Sequence, residues 1–151
     1  DDYHVAVAHK NTLHKEQGPI KNYKYLFSKF CNVLVTPINS RENLYTFGLL
    51  PWTHIIVWPG KGILLISYPP QRIDQCSLEI KLASSSLCEK DLEAWKNDIL
   101  NFLDEDKVIV ESVQKSYREK FKLGPPNRLE QRIIHWQEVY KEFLHSSGIY
   151  F

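Results

Sequence analysis

Between Tyr23 and Leu82 the chain alternates short β-rich runs with turn residues. Cys31 to Thr36, Leu44 to Leu50, His54 to Trp58, Gly62 to Tyr68 and Gln75 to Leu82 predict strands. Pro37 with Asn39, Pro51, Pro59-Gly60 and Pro69-Pro70 separate them. Spacers this short cannot hold a parallel crossover, so the neighbours are predicted antiparallel.

After Leu82 the period changes to that of a helix. Ser84, Ser85 or Ser86 is positioned to cap a helix whose first turn carries Glu89. It is expected to run to about Phe121 and to stop at Gly124-Pro125-Pro126. A second helix follows Asn127, with Leu129, Ile133, Trp136, Tyr140 and Phe143 on the face expected to meet a core. Asp1 to about His14 reads as a short helix or helix end, broken by Gln17-Gly18-Pro19. Strands first and helices afterwards predict an α+β domain: an antiparallel sheet with a long helix packed across it.

The long helix carries one discordant residue. Its apolar stripe is Leu92, Trp95, Ile99 and Phe102, then Ile109, Val113 and Tyr117, and the position between the two groups is Asp106. Asp104 and Glu105 fall off that stripe and are expected to be solvated. An inward carboxylate costs several kcal/mol unless a cation or a set of donors meets it. The alternative is a middle turn that faces water at the edge of the sheet.

Composition narrows the classes. A chain of 151 residues holds one domain with a core of its own, and 43% apolar with 25% charged residues is ordinary for a folded protein. The net charge is +1 and the basic residues are dispersed, which gives no footprint for nucleic acid or an anionic membrane. Apolar runs such as Ile63 to Ile66 are too short to span a bilayer. Cys31, Cys76 and Cys88 form neither a metal-binding pair nor a disulfide framework, so a cytoplasmic setting is expected.

The opening segment, Asp1-Asp2-Tyr3-His4-Val5-Ala6-Val7-Ala8-His9-Lys10, sets two histidines among small apolar residues. Neutral imidazoles in such a setting suit a metal. On an ideal helix their spacing places them roughly 140° apart, so sharing one ion requires a loosened or ending helix. His14 repeats that spacing from His9, and a structural role for the pair remains open. His54, His135 and His145 show no partner pattern and are read as incidental. Two histidines and one inward carboxylate are the components of a 2-His-1-carboxylate triad, which leaves open positions on Fe(II).

Asp1-Asp2-Tyr3-His4 followed by Ala8-His9-Lys10 resembles the iron-binding motif of Rieske-type non-haem iron oxygenases, the aromatic ring-hydroxylating dioxygenase large-subunit family. The Tyr-His-Val and Ala-His-Lys pieces are closest to the choline monooxygenase and carnitine oxygenase branch. Glu105-Asp106, then Glu111 and Gln114, is similar to a second segment of that branch, and Leu123-Gly124-Pro125 also fits. Two departures stand out. The stretch between His9 and the first strand is short for the choline branch, and Lys115-Ser116 replaces the Arg-Gly that usually follows the glutamine.

The resemblance implies a helix-grip (START-like) fold over residues 1–151, with Fe(II) held by His4, His9 and Asp106. It implies that Asp1 links the iron to the [2Fe-2S] Rieske cluster of a neighbouring subunit in a homotrimer. Electrons would come from NAD(P)H through a reductase, and O2 would hydroxylate a small organic substrate in a monooxygenase or demethylase reaction. Cluster ligands of the Cys-x-His and Cys-x-x-His kind are absent, so the chain is expected to be a piece of a longer product that lacks its N-terminal Rieske domain. An aromatic-ring cis-dihydroxylating dioxygenase is the alternative within the family. A metal-free START-like domain for a hydrophobic ligand is the alternative outside it.

Overall fold

The computed structural model describes residues 23–119 and 130–148. Eight strands are formed: β1 (Lys24–Ser28), β2 (Cys31–Pro37), β3 (Asn43–Leu49), β4 (Thr53–Trp58), β5 (Gly62–Ser67), β6 (Pro70–Arg72), β7 (Gln75–Cys76) and β8 (Glu79–Ala83). Two helices follow, α1 (Glu89–Arg118) and α2 (Gln131–Ser146). The domain is α+β, as the pattern predicts.

Six strands make one antiparallel sheet in the order β1-β2-β3-β4-β5-β8, and β6 pairs with β7 as a separate ribbon between the last two. The β4–β5 hairpin shows why its turn is glycine-rich. Gly60 has φ +75°, and Lys61 N donates to the Trp58 carbonyl at 3.0 Å while its ammonium lies over the Trp58 ring. At Gly62, with φ +144°, an added Cβ would lie 2.2 Å from the Ala83 carbonyl oxygen, so only glycine allows β8 to approach.

Strand register sorts the side chains into two faces. One row on the helix-bearing face is Phe27, Asn32, Gly48, His54, Ile66 and Ile80; the next is Tyr25, Leu34, Thr46, Ile56, Leu64 and Leu82. The first half of α1 packs on the β5–β8 side of this face. Buried Trp95 meets Leu64 and Ile66, with Ile56, Ile80, Leu82, Leu92, Ile99 and Leu103 around them. Burying such side chains contributes about 1.5–3 kcal/mol each.

Five expectations need correction. β1 was not among the predicted strands, and the run Gln75 to Leu82 is two strands interrupted at Ser77 and Leu78. No serine side chain caps α1: the N-cap is Cys88, and Ser84 Oγ instead accepts from the Ser86 and Leu87 amides in the turn before it. The stripe is buried only in its first half: Ile109, Val113 and Tyr117 are exposed. In α2 the buried residue is Val139, while Ile133, Tyr140 and Phe143 are exposed, so the inward face is turned from the apolar one expected. Polar anchors explain that turn. Arg132 and His135 reach the buried Asn32, and this outweighs the helix's apolar periodicity.

Candidate functional site

Asp1, His4 and His9 lie outside the described residues. Asp106 is on α1, half-buried, one turn past Leu103, where the helix leaves the apolar core. Its neighbour Asp104 is exposed, as expected, whereas Glu105 is half-buried. The Asp106 charge reaches Tyr68, the residue after β5. Burial, then the Asp106 charge, then Cys76 push the Tyr68 phenol above its ordinary pKa. Asp106 is thus close enough to Tyr68 for its charge to be felt there.

From Tyr68 a line of aromatic and polar groups crosses the same face. The His54 ring meets Tyr68 edge-on at 6.1 Å and Trp136 of α2 at 5.8 Å. Burial above all, and then the Arg132 charge, lowers the His54 pKa from 6.5 to about 4. His54 is therefore neutral at pH 7. Next to it, Gly48 leaves room for α2. A Cβ there would lie 2.7 Å from Asn32 Oδ1, 2.8 Å from Arg132 Nη2 and 3.1 Å from Trp136 Cζ2.

Asn32, fully buried on β2, links the sheet to α2. Arg132 Nε donates to Asn32 Oδ1 at 2.5 Å, and Asn32 Nδ2 lies 3.3 Å from His135 Nδ1. His135 Nε2 is 2.8 Å from the Ser28 carbonyl oxygen. A carbonyl can only accept, so Nε2 carries the proton, and Nδ1 then accepts from Asn32. All four groups therefore form one directed chain, Arg132 to Asn32 to His135 to Ser28. Phe27 lies 5.1 Å from the His135 ring and walls the chain on the β1 side.

His54 and His135, read from the sequence as incidental, are both part of this interior line. The sequence holds no local signal for it, because the bond from Arg132 to Asn32 joins residues 100 apart. The geometry thus yields two features on one face: a half-buried carboxylate at Asp106 and, beyond Tyr68 and His54, a guanidinium aimed by a buried amide. No helix among the described residues is long and apolar enough to cross a membrane. No family model, no curated protein and no solved structure matches the chain.

Proposed function

We propose that residues 1–151 form the mononuclear-iron catalytic domain of a cytoplasmic Rieske-type non-haem iron oxygenase with a helix-grip (START-like) fold. It would hydroxylate a small organic substrate as a monooxygenase or demethylase. The supporting observation is Asp106. The stripe of α1 singles it out, and it is half-buried with its charge felt at Tyr68, while Asp104 is exposed. One anionic oxygen donor with two neutral imidazoles suits Fe(II) and leaves positions open. His4, His9 and Asp106 would hold the ion, which when bound supplies the activation of O2. Asp1 would bridge toward the [2Fe-2S] cluster of a neighbour in a homotrimer, fed by an NAD(P)H-dependent reductase. Tyr68 and His54 would line the approach to the metal and keep it apolar and aromatic.

The test is metal analysis after anaerobic reconstitution with Fe(II), with about one iron per chain expected for a single facial triad. His4→Ala, His9→Ala and Asp106→Ala should each lose it. Asp1→Asn in the full-length protein should retain iron and cluster but slow electron transfer between them. Stoichiometric iron in Asp106→Ala would remove this carboxylate from the site. No iron in the unmodified protein would leave the metal-free ligand carrier.

A further inference from the structure

Arg132 is a half-buried cation with no carboxylate paired to it among the described residues. Its guanidinium is a rigid fork of N–H donors that stays charged in proteins. One donor, Nε–H, is taken by Asn32. Among the described residues, ion pairs join Lys96 to Glu93 and Arg118 to Asp74, and no carboxylate pairs with Arg132. The groups around it are Gly48, the Trp136 indole, neutral His54, Tyr25 and Cys31. Burial already pulls the Arg132 pKa down. Such a cation is costly alone and much less so beside an anion.

The side chain is also held in place. Asn32 is fully buried, and His135 and the Ser28 carbonyl hold it in turn, so the fork keeps one orientation before any ligand arrives. With Nε occupied, no hydrogen bond among the described residues takes either terminal nitrogen. The edge formed by those two nitrogens matches the two oxygens of a carboxylate in a bidentate pair. A phosphate dianion would call for a second cation, and the line contains none: Asn32, His54 and the His135 tautomer are neutral. The rings of Trp136 and His54 beside the fork suit an apolar body attached to the acid.

We propose that Arg132, aimed by Asn32 and His135, binds the carboxylate of a small organic acid at the terminal nitrogens of its guanidinium, beside Trp136 and His54. In the oxygenase reading this acid is the substrate. Only that assignment rests on the iron site; the binding itself does not.

Calorimetric titration of the iron-free full chain with benzoate, at low salt, tests this. Saturable binding is expected, with benzamide, its neutral counterpart, binding roughly 10–100-fold more weakly. Arg132→Gln should lose benzoate binding to a similar degree, and Arg132→Lys, which keeps the charge but not the fork, should fall between. Circular dichroism confirms that each variant is folded. The comparison of benzoate with benzamide needs no variant, so it stands even if Arg132→Gln does not fold. Failure of unmodified protein to bind benzoate, equal binding of benzamide, or full affinity in Arg132→Gln would overturn the site. Tighter binding of inorganic phosphate than of benzoate would overturn the carboxylate assignment. Because iron is absent throughout, loss of the triad would leave these results unchanged, and loss of the carboxylate site would leave iron stoichiometry unchanged.

Discussion

The two helices meet one face of the sheet by opposite means. On the β5–β8 side α1 is seated by carbon: Trp95, Leu92, Ile99 and Leu103 against Leu64 and Ile66. On the β1–β4 side α2 is seated by a directed polar chain from Arg132 through Asn32 to the Ser28 carbonyl, with Trp136 and Val139 beside it. Apolar packing has no direction and tolerates small shifts, whereas hydrogen-bonded groups hold one geometry and are costly when left unmatched. The first flank supplies stability. The second fixes a charged group in place and is the flank suited to reading a ligand.

The largest effect should come from the apolar flank. Trp95→Ala empties the centre of the cluster and should cost about 3–5 kcal/mol by urea denaturation. Iron and benzoate binding should survive at temperatures where the variant stays folded. Loss of both in folded protein would mean that the flanks are not separable.

Acid should strike the polar flank through His54. His54 has its pKa lowered to about 4 in the folded chain, against 6.5 for the unperturbed group. As pH falls below 6.5 the unfolded chain takes up this proton first, so the contribution of neutral His54 is present above pH 6.5 and is lost down to about pH 4. The total is of order 3 kcal/mol. Urea midpoints at pH 7 and at pH 4.5 should therefore differ less in His54→Gln than in the unmodified protein. Parallel slopes would show that His54 is not held neutral by its surroundings.

Gly48→Ala is the smallest and sharpest of the three. Its Cβ would meet Asn32 Oδ1 at 2.7 Å and Arg132 Nη2 at 2.8 Å. The arginine tip can move, but the buried amide cannot, so a cost of about 1–3 kcal/mol is expected. If the variant were as stable as the parent by urea denaturation, the polar flank would be looser than its distances indicate.

Sequence patterns carried the apolar flank better than the polar one. Proline and glycine punctuation located β2 to β5, and the four-three stripe placed Trp95 on the inner side of α1. β1 escaped because Lys24, Leu26, Phe27 and Ser28 are exposed on an edge strand and carry no strict alternation. The inward face of α2 escaped because apolar periodicity assumes that carbon faces the core, and here Arg132 and His135 do. Asn32, Gly48 and His54 acquire meaning only through register, which aligns them on neighbouring strands. Asp1, His4 and His9 rest on motif resemblance alone.

The bond between Arg132 and Asn32 has a kinetic consequence. Strands β1 to β4 each pair with the strand that follows, so each hairpin closes a short loop and forms cheaply. The link from α2 to β2 closes a loop of 100 residues. Its closure entropy is offset only once the meander exists to receive it. The guanidinium is therefore oriented late in folding, and α2 can lift from the sheet as a local opening that leaves the hairpins intact.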